Sequence, residues 1–225
     1  MKKFSNEVFV YLAPVSDRMP KAVPEVRRKE LLKVKNEAFL RQKNSVWALL
    51  ETALFHAFAI PPGEVDFRRG ENGKYTAKGV FFSLTHTERL VAVAAARIPV
   101  GIDAEEEEPF LKRYQNSPER LLALARRVAA PGEEKEASEP EGFLRLWTGK
   151  EAAFKAGGDE VFCPKNIMVS RLPVFSARVK EPCRARVSVC AECGAEPSFF
   201  FCDPEPVKMP ESAFLDKLQK KVKKL

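Results

Sequence analysis

The stretch VFFSLTHTERLVAVAAARIPVGIDAE, residues 80–105, decides how this chain folds. It holds three apolar runs, Val80 to Leu84, Leu90 to Ala96 and Val100 to Asp103, each of strand length and separated by short polar links. That pattern predicts a meander. Before it, Val8 to Leu12 reads as a short strand and Pro14 to Pro24 as a loop. Pro24 opens a basic helical pattern that runs through Lys35, carrying Leu31, Leu32, Val34 and Ala38. A second helix, Lys43 to Phe58, places Val46, Trp47, Leu50, Leu54 and Phe58 on its apolar side until Pro61 and Pro62 stop it. Asn72-Gly73 marks a turn before the meander.

After the meander the period returns to that of a helix over Phe110 to Ala129. The glycine, prolines and glutamates of Pro131 to Pro140 read as a mobile surface loop. Phe143 to Ala156 is a helix ended by Gly157-Gly158. Short alternating runs to Cys202 predict strands, and Glu211 to Lys224 a basic amphipathic helix. Helices, sheet, helices, sheet gives an α+β class with two lobes, an N-terminal lobe of residues 1–107 and a C-terminal lobe of 108–225. No repeat is visible in the sequence.

Composition narrows the function classes. With 225 residues and 45% hydrophobic content the chain can bury a sizeable core. Its longest apolar stretch, Leu90 to Ala96, is far short of the roughly 18 residues of a membrane span. The N-terminal residues lack the apolar core of a secretory signal, and an odd count of 5 cysteines argues against a paired disulfide framework, so a cytoplasmic location is expected. Cys183, Cys190, Cys193 and Cys202 could be read as a zinc site, but the strand-like alternation around them favours ordinary buried thiols. A net charge of +7, concentrated in Arg27 to Lys43 and Lys217 to Lys224, suits an acidic macromolecule or a polyphosphate. Nucleic acid is a rival partner, though no zinc finger, RNA-recognition signature or basic zipper is present.

Asp103 and Glu105 lie two apart on a predicted strand, so both carboxylates leave the same face. Such a pair suits magnesium, which takes one or two protein carboxylates together with water and substrate phosphates. The plain alternative is that Glu105 opens a solvated acidic run. Trp147, Glu151 and Lys155 recur at intervals of four on one helix and share a stripe, although Glu151 and Lys155 are also spaced as a surface ion pair. His86 follows a strand in a link that also holds Thr85, where an imidazole beside a hydroxyl could bind phosphate or act as a base. His56, within an apolar helix, reads as a satisfied core residue.

In order and spacing, Phe82-Ser83-Leu84-Thr85-His86, Gly101-Ile102-Asp103-Ala104-Glu105 and Trp147-Thr148-Gly149-Lys150-Glu151-Ala152-Ala153-Phe154-Lys155 resemble the signatures of the 4'-phosphopantetheinyl transferase superfamily. The length resembles its larger, monomeric, surfactin-synthetase-activating class. The resemblance covers about Pro24 to Gly158. It implies two similar lobes in a pseudo-twofold arrangement with the active site between them. The implied reaction moves 4'-phosphopantetheine from coenzyme A to a serine of an acidic acyl or peptidyl carrier protein, with Mg2+ as cofactor and coenzyme A as co-substrate.

Residue by residue, the resemblance implies that Asp103, Glu105 and Glu151 hold the metal and that Glu151 and Lys155 are catalytic. It implies coenzyme contacts from Thr85 and His86, the latter at the ribose phosphate, and from Lys74, Lys155 and Lys150. Ser45 resembles the family's small hydroxyl residue on the first long helix, and Lys29 one of its N-terminal phosphate-binding bases. Tyr75 stands where the family commonly has proline, and Gly149 is a departure inside the catalytic helix, where glycine costs about 1 kcal/mol relative to alanine. Two other readings compete: a non-catalytic basic binding protein explains the charge but not the three acids, and a magnesium phosphohydrolase leaves the coenzyme-binding series unexplained.

Overall fold

The computed structural model describes residues 7–69, 74–114, 116–158, 161–192, 194 and 196–219. Strand β1 (Val8–Pro14) leads to helices α1 (Glu25–Leu31) and α2 (Glu37–Phe58), then to β2 (Phe67–Arg69), β3 (Tyr75–Ala77), β4 (Val80–His86), β5 (Leu90–Ala96) and β6 (Val100–Glu106). Helices α3 (Glu107–Tyr114), α4 (Pro118–Val128), α5 (Glu134–Ala137) and α6 (Pro140–Gly157) follow. Strands β7 (Val174–Val179), β8 (Ala185–Ala191), β9 (Ser198–Cys202), β10 (Pro206–Lys208) and β11 (Phe214–Gln219) come last.

The strands form two sheets, a seven-stranded one in the order β10-β9-β1-β5-β4-β3-β2 and a four-stranded one in the order β11-β7-β8-β6. The sheets face each other across a shared core that includes Val10, Leu12, Ala92, Ile102, Phe175 and Val187. Helix α2 covers the outer side of the larger sheet, packing Trp47, Leu50 and Leu54 with Tyr11, Val91 and Val93. Helix α6 covers the smaller sheet, packing Phe143, Leu146 and Ala152 with Val174 and Cys190. Because β5 has Leu90, Ala92, Ala94 and Ala96 in the core between sheets and Val91, Val93 and Ala95 under α2, it is buried on both faces. That is why its sequence is an unbroken apolar run rather than an alternation.

The expected meander is half right. β4 and β5 pair antiparallel, with Thr85 opposite Ala92, but β6 leaves their sheet and pairs with β8. Its apolar residues Val100, Ile102 and Ala104 point into the core between sheets. Its unpaired edge lies over β4, and the backbone N–H of Ile102 donates to the Ser83 hydroxyl at 3.1 Å, which satisfies a buried donor the ladder leaves over. Residue 107 is crossed by sheet membership in both directions, since β6 joins β7 and β8 while β9 pairs parallel with β1.

Helix α2 begins at Glu37, before the expected Lys43, because the Asn36 side chain accepts from the Phe39 N–H at 2.9 Å and caps it. The helix expected over Phe110 to Ala129 is two, with Pro118 in the first turn of the second. The segment read as a mobile loop contains α5 and is tied down by the buried Glu133. The C-terminal segment is a correction: Glu211–Ala213 is a 3-10 turn and β11 is a strand paired with β7. There Phe214 turns inward while Asp216 pairs with Arg186, and residues 220–225 lie outside the described ones, as does the Asn72-Gly73 turn. Cys183, Cys190 and Cys202 are free and each belongs to a different core, so they do not converge on one ion; Cys193 is outside the described residues. His56 is exposed rather than in the core, and the Tyr11 hydroxyl lies 2.8 Å from its Nδ1. No helix among the described residues is long and apolar enough to cross a membrane.

Candidate active site

Helix α6 can lie flat on β6 because residue 101 is glycine. A Cβ there would overlap the Ala152 carbonyl oxygen and crowd the Ala156 nitrogen. Glycine permits this approach of helix to strand, and with it the meeting of the Asp103 and Glu105 face with the Trp147, Glu151 and Lys155 stripe. Gly149 has a packing reason as well, since a Cβ would stand 3.2 Å from Val169 Cγ1.

At the centre, the Lys155 ammonium donates to Asp103 Oδ1 at 2.6 Å, and the Thr85 hydroxyl donates to the same oxygen at 3.1 Å. Burial pushes the Asp103 carboxyl above its ordinary range, against the opposing pull of Lys155 and Thr85. Glu105 is pushed up to about 7, first by burial and then by the charge of Asp103, while a hydrogen bond from Trp147 opposes the shift. Glu151 is raised by burial and again by Asp103. The three carboxylates thus crowd one another.

Beside them stands a second crowd, of cations. His86, at the end of β4, is held below the ordinary imidazole range by burial, then by Lys43 and Lys155. Phe39 of α2 meets the His86 ring edge-on with centroids 5.5 Å apart, and Lys43 Nζ lies 4.5 Å from the Phe39 ring centre. Lys43 is itself lowered, by burial and then by Arg27. Phe39 and Lys43 escaped the sequence reading; their spacing of four on a basic helix was the available signal.

The remaining residues fall further out. Ser45 is buried and its hydroxyl accepts from the Ser16 N–H at 3.2 Å. Lys29 is exposed on α1 and pairs with Glu25 at 2.7 Å. Lys74 borders a cavity of about 170 Å³ together with Tyr75, Phe82 and Ala156. Lys150 is a correction: its side chain is fully buried, 2.6 Å from Glu133, and it donates to the carbonyls of Pro164 and Ile167. An ammonium with those three partners is not available to a coenzyme phosphate. Glu106 points the other way from Glu105 and receives Arg89 at 2.7 Å and the Thr87 hydroxyl at 2.6 Å. A cavity of about 250 Å³ opens between these elements, bordered by Thr87, Glu105, Phe110 and Arg113.

The family model of the 4'-phosphopantetheinyl transferase superfamily matches residues 99–192, which include β6, α6 and β8. A 4'-phosphopantetheinyl transferase of Bacillus subtilis is 26% identical over 192 residues, covering 81% of this chain and 77% of that protein. The transferase HetI of Nostoc is 27% identical over 59% of this chain and 58% of its own length. The transferase gsp of Aneurinibacillus migulanus is 26% identical over 60% of this chain and 59% of its own. The chain thus spans under two thirds of the latter two relatives. This likeness supports the 4'-phosphopantetheinyl transferase superfamily.

Within that superfamily reading, the donor set can be tested against a metal. Among the described residues no group of three His, Cys, Asp or Glu side chains is arranged to hold one, and the Lys155 ammonium pairs with Asp103. The chemistry of the donors fits a hard divalent ion: carboxylate oxygens, each made more basic by burial and two of them also by the charge of Asp103, on a strand and a helix held together at Gly101.

Proposed function

We propose that this chain is a magnesium-dependent phosphopantetheinyl transferase of the larger, monomeric class, acting on a serine of an acidic acyl or peptidyl carrier protein. The observation that carries the reading is the pair of adjoining charge crowds. Burial and the charge of Asp103 raise the proton affinity of Glu105 and Glu151, and beside them burial, Lys43 and Lys155 lower that of His86. A bound divalent cation together with a polyphosphate relieves both at once.

Asp103, Glu105 and Glu151 would hold magnesium, which supplies charge neutralisation on the coenzyme's diphosphate. Lys155 donates to the transferring phosphate, and His86, with Lys43 nearby, faces the ribose phosphate. Glu151 takes the proton from the carrier serine, directly or through a water. The serine oxygen forms the new bond to the phosphorus of the phosphopantetheine arm as the bond to the bridging diphosphate oxygen breaks. Adenosine 3',5'-bisphosphate carries away that oxygen. The two lobes, residues 1–107 and 108–225, are proposed to be related by a pseudo-twofold axis, with Lys74, Ser45 and Lys29 on the coenzyme side. The three free buried thiols suit a cytoplasmic setting.

The test is release of adenosine 3',5'-bisphosphate. It should appear only when coenzyme A, magnesium and an apo carrier are all present, in one-to-one ratio with modified carrier. Release without a carrier would favour a phosphohydrolase instead.

A further inference from the structure

Against the last turns of α6 runs a trough of about 540 Å³, lined by none of the residues given a metal-binding, catalytic or coenzyme-contacting role above. Phe154, Met168 and Leu172 supply apolar wall, and the exposed side chains of Lys165, Arg171 and Glu192 line it as well. Among the described residues neither Lys165 nor Arg171 has a side-chain hydrogen-bond or ion-pair partner, although most charged side chains around the two sheets do. The wall that carries them is built rather than loose. Lys150 donates to the carbonyls of Pro164 and Ile167, and Glu133, its partner, accepts from the Val169 N–H at 2.9 Å. The volume falls in the range of about 300 to 1,000 Å³ typical of small-ligand sites, which combine apolar walls with a few placed polar groups.

We propose that this trough binds a single-headed amphipathic anion, with its carboxylate or phosphate head between Lys165 and Arg171 and its apolar body along Phe154, Met168 and Leu172. Charge complementarity sets the head, because among the described residues the two cations lack partners. The third charge sets the selectivity: Glu192 repels a second anionic group, so a chain charged at both ends is refused. Phe154 sits between Glu151 and Lys155 in sequence, so the site shares its helix turn with the transfer machinery.

Calorimetric titration of the purified chain with decanoate, below its micelle concentration, tests the assignment. One-to-one saturable binding is expected, tightening from hexanoate to decanoate as buried methylenes are added. Decanol, which lacks the charge, and decanedioate, which carries two, should each bind about tenfold more weakly. Decyl phosphate separates the two head groups: equal or tighter binding marks the site as one for phosphate esters, weaker binding as one for carboxylates. Arg171→Glu and Met168→Asp should each weaken decanoate about tenfold or more with an unchanged melting temperature. Lys165→Glu, on the exposed rim, serves if either variant melts early. No saturable heat with any chain length would overturn the proposal, as would equal binding of decanedioate, or affinity indifferent to both Arg171→Glu and Lys165→Glu.

Discussion

Lys155 Nζ and Asp103 Oδ1 are 2.6 Å apart, joining the last turn of α6 to the middle of β6 across 52 residues of sequence. The contact closes a buried carboxylate group in which Asp103 raises the proton affinity of both Glu105 and Glu151.

Asp103→Asn, Glu105→Gln and Glu151→Gln should each abolish transfer while the fold survives, since each removes a charge at nearly constant volume. Steady-state rates at low millimolar magnesium check this, and near-normal turnover in any of the three would overturn the metal assignment. Glu106→Gln belongs to another class. It breaks the contact with Arg89 and should lower the melting temperature by a few degrees, as loss of about 1 to 3 kcal/mol does, with transfer retained.

Gly101→Ala should be among the most damaging single changes, because its methyl group meets the α6 backbone rather than a flexible side chain. Overpacking of this kind costs about 1 to 3 kcal/mol or more. Thermal unfolding measures the loss, and Gly63→Ala, at a position with open space but φ of +86°, is the comparison that isolates backbone strain from overlap.

The acids also set a pH dependence. Glu105 is raised to about 7 in the folded chain, so between its ordinary value near 4.5 and 7 the folded state binds more protons than the unfolded one. Its contribution to stability is therefore present at about pH 4.5 and below and is lost as pH rises through 7. Melting temperature without metal should fall over that window, less so in Glu105→Gln, and added magnesium should raise it more at pH 8 than at pH 5. A metal effect that is independent of pH would contradict the coupling.

His86 has the opposite sense. Its folded value lies below the ordinary 6.5, so its contribution to stability is present above 6.5 and lost as pH falls through the depressed value. A phosphate at His86 would raise that value again, so coenzyme A binding near pH 6 should take up protons, and His86→Ala should not. The variant should weaken coenzyme A about tenfold more than dephospho-coenzyme A. Equal losses would move His86 away from the ribose phosphate.

Period-two and period-four spacing alone puts Asp103 with Glu105 and Glu151 with Lys155, because strand and helix geometry fix which side chains share a face. What spacing could not do was say where each face points. Lys150 has the same local credentials as Lys155, yet it turns into the core toward Glu133, a partner 17 residues earlier, on a segment that reads as a loop. Strand β6 looks like the third strand of a meander and leaves it, since the partner it prefers, β8, lies some 80 residues on. The last segment, with lysines and apolar residues in a mixture that fits either period, becomes a strand through its pairing with β7. Long-range partners decide such segments, and one sequence does not display them.

The carrier should be steered by charge. Residues 27–43 carry Arg27, Arg28, Lys29, Lys33, Lys35, Arg41 and Lys43, largely exposed around α1 and the start of α2. Exposed charges are screened with a Debye length near 8 Å at physiological salt, so the carrier KM should rise with salt more steeply than that of coenzyme A. Reversal of Arg27, Arg28 and Lys29 to glutamate should raise it likewise; a carrier KM indifferent to both changes excludes this segment as the steering surface.

Transfer is read from the mass of the carrier. Apo acyl and peptidyl carrier proteins are incubated with this chain, coenzyme A and magnesium, and the intact carriers are weighed. The wild-type carrier should gain one phosphopantetheine arm, a carrier whose acceptor serine is alanine should gain none, and neither should any carrier with Asp103→Asn as the enzyme. Carriers of unchanged mass across a broad panel, with coenzyme A left intact, would contradict the proposed transfer.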